Sequence, residues 1–363
     1  MRQAHAVSDV RAAEQTLMEA VPDGALMQRA AAGLASICAK LLGRVYGSRV
    51  VVLAGTGDNG GDALYAAASL AKRGARTTVV QTGSRLHEGG WTALRRVGGR
   101  RCEDLGEAAN VLAQADLVID GILGIGGHGG LREPAATLAG LTARARAAGA
   151  IVVATDLPSG VDADTGVVSG AAISADVTVT FGTLKPGLLI DPGASYAGTV
   201  ELVDIGLEPT LAAAPVAKAL QASDLAALLP TPGVESDKYR RGVLGVLAGS
   251  DKYTGAAVLS VGGAIRGGAG MVRLLSAKSA ADVVRQHWPE AVITHLDPDR
   301  PAASVETAGR VQAWVAGPGL GTGDEAESLL RAVLATDLPV LVDADGLTVL
   351  SRNLQLLARS GGA

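Results

Sequence analysis

Apolar runs of β-strand character, each ending in a glycine loop and separated by helical segments, constrain this 363-residue chain more than any other feature. Arg49–Gly55, Thr77–Gln81, Leu117–Asp120, Ile151–Asp156, Val177–Phe181 and Thr199–Val203 read as six strands. Helical spacing of apolar residues marks 7–42, 63–73 and 135–148. Strands that are apolar throughout and alternate with helices predict a mostly parallel sheet covered on both faces. The 49 glycines cluster behind the strands and form no low-complexity tract, a pattern that suits ligand loops.

The pattern restarts in the second half. Residues 207–235 carry prolines and an alanine-rich stretch and read as a linker. Gly242–Ala248 is then a new strand, followed by a glycine loop and a helix over 256–265. Trp314–Gly321 and Leu338–Asp345 repeat the motif without a fixed period, which excludes a solenoid. Aromatic residues make up 2% of the chain, so a base-stacking surface is not expected, and a net charge of −4 argues against a nucleic-acid partner. The first residues lack the apolar core of an export signal, and no uninterrupted apolar run reaches the length of a membrane span. Two cysteines, Cys38 and Cys102, make no disulfide framework and suit a reducing cytoplasm. The expected partner is a small-molecule substrate, with no membrane partner, and the chain is expected to be a homo-oligomer.

Gly55-Thr-Gly57-Asp-Asn-Gly60 satisfies the dinucleotide fingerprint G-x-G-x-x-G after a strand. An ordinary dehydrogenase is nevertheless disfavoured. The second strand ends in Gln81-Thr-Gly-Ser, without the carboxylate that holds ribose, and Asp58 and Asp62 would repel a pyrophosphate. Asp120 and Asp156 end two further strands, which predicts four aspartates at one rim of the sheet. Such an oxygen-rich rim suits a hard cation. Lys185, in Phe181-Gly-Thr-Leu-Lys-Pro-Gly187, also follows a strand and would bring positive charge there.

GTGDNGGDALYAA at 55–67, DGILGIGGHGGLREP at 120–134, TDLPSGVDADTG at 155–166 and TFGTLKPG at 180–187 together resemble NAD(P)H-hydrate epimerase domains. KYRRGVLGVLAGSDKYTGAAVL at 238–259, GAGMVR at 268–273, GPGLGTG at 317–323 and LPVLVDADGL at 338–347 are similar to ADP-dependent NAD(P)H-hydrate dehydratase domains. The resemblance implies a Rossmann-like three-layer parallel-sheet domain over 1–222, followed over 223–363 by an incomplete, ribokinase-like α/β domain. It implies a substrate, NADH or NADPH hydrated at C6 of the nicotinamide ring. One domain interconverts the R and S epimers, and the other dehydrates the S form with ADP, for which Mg²⁺ is a further candidate.

Carried over by motif, substrate contacts fall on Asp58, Asn59, Gly60, Gly61 and Asp62. They continue on Gly124, Ile125, Gly126, Gly127, His128, Gly129 and Gly130, and on Asp156, Ala257 and Gly319. Asp58 stands where these proteins usually carry an asparagine, and His128 is given no catalytic role. Potassium ligands fall on Asn59, Asp120 and Ser159. Asp156 is expected to be the catalytic acid–base group, with Lys185 as its catalytic neighbour. Asp343 and Asp345 face a site or cap a helix. The later glycine-rich element with a catalytic aspartate has no counterpart here, so dehydration is expected to fail in this chain and its second sheet to expose an edge strand. A non-catalytic nucleotide-binding module on the same fold is the competing reading.

Overall fold

The computed structural model describes residues 1–358 except 103, 230–232, 234, 236, 238, 239 and 298. Lys238 and Tyr239, which open one of the motifs quoted above, therefore lie outside the described residues. The chain divides into two compact units, Met1–Ala226 and Ala227–Ala363, each with its own parallel sheet.

The first unit opens with β1 (Arg2–Ala4), α1 (Val7–Ala20) and α2 (Ala25–Leu42). Then come β2 (Arg49–Ala54), α3 (Asp58–Lys72), β3 (Arg76–Gln81), α4 (Glu88–Arg96), β4 (Arg100–Arg101) and α5 (Leu105–Ala113). β5 (Leu117–Gly121), α6 (Ala135–Ala147), β6 (Ile151–Thr155), β7 (Val177–Phe181), α7 (Gly193–Ala197), β8 (Thr199–Val203), β9 (Ala217–Ala219) and α8 (Ala222–Leu228) complete the series. Seven strands form one sheet in the order β4-β3-β2-β5-β6-β7-β8, with every pair parallel. β5 and β7 are buried at every position, as strands covered on both faces must be. One face packs Leu34, Cys38 and Leu64 of α2 and α3 on Val50 and Ile119. The other packs Leu112 and Leu138 of α5 and α6 on Val118 and Val152, giving three layers.

α2 is long and apolar enough to cross a membrane, with 18 residues and a mean hydropathy of 1.2, which the search for uninterrupted apolar runs overlooked. Its Ala30-Leu34-Cys38 stripe is buried in the core against α3 while most of the rest of the helix is exposed or half-buried, so in the first unit it packs by one face. The region read as linker contains β9, which pairs antiparallel with β1. Strands of three residues are too short to show a period, and both escaped the sequence reading.

In the second unit, β10 (Val243–Leu247), α9 (Thr254–Arg266), β11 (Met271–Ser276), α10 (Lys278–His287) and β12 (Val292–His295) are followed by α11 (Pro301–Thr307) and β13 (Ala313–Ala316). α12 (Asp324–Leu334), β14 (Val340–Val342) and α13 (Asp345–Arg352) come last. The sheet order is β12-β11-β10-β13-β14, again all parallel. Among the described residues β14 pairs only with β13, and its Leu341 is 59% exposed, as expected of an edge strand. Leu341→Lys is expected to reduce self-association, read as light scattering in concentrated solution, while the melting temperature stays almost unchanged.

In both sheets the chain reverses its direction of travel at one place: between β2 and β5 in the first, between β10 and β13 in the second. The loops beyond the strands part there and leave a crevice, the usual ligand position in open α/β sheets.

Candidate active site at the β2–β5 switch point

The crevice of the first unit is a cleft of 460 Å³, with Asp58, Asn59 and Asp62 on one side and Gly124–Gly127 and Asp156 on the other. Its floor depends on glycine for packing. A methyl group at Gly55 would overlap the Ile122 carbonyl oxygen, and one at Gly60 would overlap the carbonyl oxygen of Gly55. The β2 and β5 loops therefore meet backbone to backbone, and α3 starts close against them. Gly61 packs towards His87 and Met27, so Gly60 and Gly61 serve the protein's own packing before any ligand.

The second loop is shared differently from expectation. Gly124, Ile125, Gly126 and Gly127 line the cleft. His128, Gly129 and Gly130 are not among its lining residues. The His128 side chain is 75% exposed and lies 3.3 Å from Asp162, and Gly130 packs closely on Gly170.

Asp156 follows β6 with φ of 64°, a left-handed conformation that costs a non-glycine residue strain and is found preferentially at functional positions. Its N–H donates to the Val179 carbonyl at 2.7 Å. Lys185 Nζ donates to Asp156 Oδ1 at 2.5 Å, to Thr180 Oγ1 at 3.1 Å and to the Phe181 carbonyl at 3.2 Å. All three ammonium protons are used, and the lysine is 1% exposed. Lys185 therefore does not line the cleft. It holds one carboxylate oxygen of Asp156 from behind, helped by the Thr180 hydroxyl at 3.1 Å. Breaking a buried pair by removing one charge strands the other. Lys185→Met is accordingly expected to destabilise the first unit by about 3–5 kcal/mol, measured by urea unfolding.

Asp120 is not on the rim with the other three aspartates but fully buried beneath it. Ser159 donates to it through Oγ (2.6 Å) and through its N–H (2.8 Å), and the Ile122 N–H donates at 3.2 Å. Burial pushes the Asp120 carboxyl up to about 6, and among the described residues no basic side chain pairs with it. Asn59 presents its carboxamide towards Gly124, with Nδ2 buried and, among the described residues, unpartnered. A carboxylate without a counter-charge, a hydroxyl and a carboxamide at the foot of one loop pair form an oxygen donor set that fits a monovalent cation.

Asp58 is exposed at the mouth, whereas Asp62 is half-buried with Oδ1 fully enclosed and, among the described residues, unpartnered. Burial first, then the charges of Asp156, Asp58 and Glu14, push the Asp62 carboxyl well above its ordinary range against the opposing charge of Lys185. Burial likewise raises Glu14, opposed chiefly by Lys185. Glu14 and Arg11, both on α1, line the cleft but were absent from the sequence reading. Their three-residue spacing puts them on one helix face, but nothing in the sequence says which face meets the sheet rim. The chain between β1 and α1 decides that: the His5 N–H donates to the Leu184 carbonyl at 3.0 Å, beside Lys185, and so aims α1 over the cleft. Phe181, the chain's one phenylalanine, was also missed; it lines this cleft and an adjoining cavity of 400 Å³.

In the second unit the side chain of Ala257 is fully buried, pressed against Gly249, and a methyl at Gly319 would overlap Ala256. Neither position offers a side-chain contact to a substrate, because both fill the junction between the switch-point loops and α9. Asp345 accepts from the Gly321 N–H at 2.8 Å and so ties the start of α13 to the glycine loop after β13.

A parallel three-layer fold with a switch-point cleft, a buried aspartate–lysine pair and an oxygen-lined pocket defines an α/β enzyme for small, nucleotide-like molecules. Comparisons with known proteins make this specific. Residues 23–187 match the family model described as YjeF-related protein N-terminus, and residues 244–362 match that of NAD(P)H-hydrate dehydratase. The chain is 49% identical to the bifunctional NAD(P)H-hydrate repair enzyme Nnr of Mycobacterium leprae, over 98% of its own length and 71% of that protein. The NAD(P)H-hydrate epimerase of Clavibacter sepedonicus is 46% identical over 59% of this chain and 95% of its own length. The crystal structure of yeast YNL200c shares the fold of the first unit, with a TM-score of 0.50 and 20% identity over 61% of this chain and 98% of that one. The chain belongs to the family of bifunctional NAD(P)H-hydrate repair enzymes and carries an epimerase and a dehydratase domain. The dehydratase match across 244–362 gives no support to the expectation that this domain is incomplete.

Proposed function

We propose that the first unit interconverts the R and S epimers of hydrated NADH and NADPH in the cleft between β2 and β5, and that the second unit dehydrates the S form with ADP. The observation that carries the epimerase reading is the Asp156 carboxylate, fixed from behind by Lys185 and turned into that cleft by a left-handed backbone. A carboxyl so held can give a proton to a departing hydroxyl or take one from an arriving water. Lys185 acts as a positioning residue. The Arg11 side chain, on the lining of an otherwise acidic cleft, would provide positive charge for the substrate's phosphates, with the glycine loop 124–127 allowing them close approach.

Asn59, Asp120 and Ser159 would hold potassium. Bound there, the ion would neutralise the buried Asp120 and stiffen both loops, which favours a dinucleotide carrying negative charge. Mg²⁺ would accompany ADP in the second unit. The test is to incubate the chain with separated hydrate epimers and follow their interconversion by chromatography, with potassium exchanged for sodium. Interconversion above the spontaneous rate is expected, and none in either salt would overturn the reading. Adding ADP should restore NADH, seen by its absorbance.

Potassium should also be visible without substrate. A ligand present at 100 times its Kd stabilises by about 2.7 kcal/mol, several degrees for a unit of this size. Potassium is expected to raise the melting temperature relative to choline, and Asp120→Asn to abolish the difference.

A further inference from the structure

Epimerisation at C6 moves the hydroxyl from one face of the ring to the other. A group placed to assist departure on one face lies on the wrong side to assist the water that returns on the other. Asp156 can therefore serve one face only. The cleft holds a second carboxyl: Asp62, on α3 beyond Asn59, lines the same cleft and the adjoining cavity. The two aspartates come from either side of β5, since Asp156 follows β6 and α3 follows β2. Asp62 Oδ1 is enclosed yet has no hydrogen-bond partner among the described residues, whereas buried carboxylate oxygens are ordinarily hydrogen-bonded, as those of Asp120 are.

We infer that Asp62 is the second proton-transfer carboxyl of the epimerase and acts on the ring face opposite the one served by Asp156. The inference rests on the epimerase reading above. In one direction the Asp62 carboxylic acid gives its proton to the C6 hydroxyl. The C6–O bond breaks and its electron pair leaves with the water, while the N1 lone pair forms the N1=C6 bond of a cyclic iminium ion. A water on the Asp156 side adds through oxygen to C6, N1 recovers its pair, and Asp156 takes the released proton. One water leaves, one enters, one proton passes from Asp62 to Asp156, and nothing is oxidised or reduced. Reversal returns the proton. The two environments suit these roles: burial and the carboxylates of Asp58, Glu14 and Asp156 favour a protonated Asp62, while the Lys185 ammonium stands against Asp156.

The test uses the full chain, separated epimers and ¹⁸O-labelled water, with Asp62→Asn and Asp156→Asn compared with the parent. Epimerisation should fall about 100-fold or more in D62N. Each variant should still exchange the C6 oxygen with retained configuration, but only in the epimer whose hydroxyl faces the remaining carboxyl, so the two variants should label opposite epimers. Two results would overturn the inference: near-parental epimerisation by D62N, or loss of exchange in both epimers together, the mark of a merely structural residue. A melting curve establishes that D62N is folded, and Asp62→Glu should recover part of the rate. Absence of epimerisation in the parent chain would instead overturn the underlying reading.

Discussion

Asp156→Asn is expected to lower the epimerisation rate about 10²–10⁴-fold, the range that a positioned acid–base group contributes. The asparagine keeps the shape of the side chain but cannot exchange a proton with the C6 oxygen. It also leaves the Lys185 ammonium, 1% exposed, with neutral acceptors alone and no opposing charge. A second effect follows: Asp156→Asn should lose about 3–5 kcal/mol of stability, as Lys185→Met does. Rate and stability must therefore be read separately, with rates taken at temperatures where both proteins are folded. A double replacement, Asp156→Asn with Lys185→Met, should recover much of the lost stability and none of the activity. Unchanged epimerisation by the single variant would remove Asp156 from the chemistry.

Gly55→Ala is expected to cost at least about 3 kcal/mol, with urea unfolding as the measurement. The added methyl would overlap the Ile122 carbonyl oxygen, and neither side can yield, because both belong to the backbone that joins the β2 and β5 loops. Gly57 provides the contrast within the same motif. A methyl there meets nothing within 4 Å, and its φ of −93° suits any residue, so Gly57→Ala should change stability by less than about 0.5 kcal/mol. Two glycines that match the fingerprint equally well are thus predicted to differ several-fold in their importance to folding.

That contrast shows what a sequence can and cannot convey. The strands of the first sheet were legible because β5 and β7, buried throughout, have no choice but to be apolar. That aspartates follow the apolar runs was legible for the same reason, since charge is expected where a buried strand comes to its end. Depth was not legible. Asp120 and Asp156 both stand at the end of an apolar run, yet Asp120 lies within β5, buried beneath the rim with Ser159, whereas Asp156 lies beyond the last residue of β6 with a left-handed backbone. Arg11 and Glu14 were invisible because their helix is aimed by two three-residue strands that carry no periodic signal. For Lys185, the sequence showed a cation after a strand. It could not show that every ammonium proton would be engaged and the side chain withdrawn from the cleft.

The antiparallel pairing of β1 with β9 has a practical consequence for anyone who would isolate the first catalytic half. The matched family segment, 23–187, omits α1, β8 and both members of that ribbon. A piece cut to those limits would lack Arg11 and Glu14 together with the clasp that directs their helix over the mouth, and β7 would become an unprotected sheet border. Soluble, active material should require everything from Arg2 through at least Ala219, and a bulky fusion placed directly ahead of Arg2 would compete with the clasp.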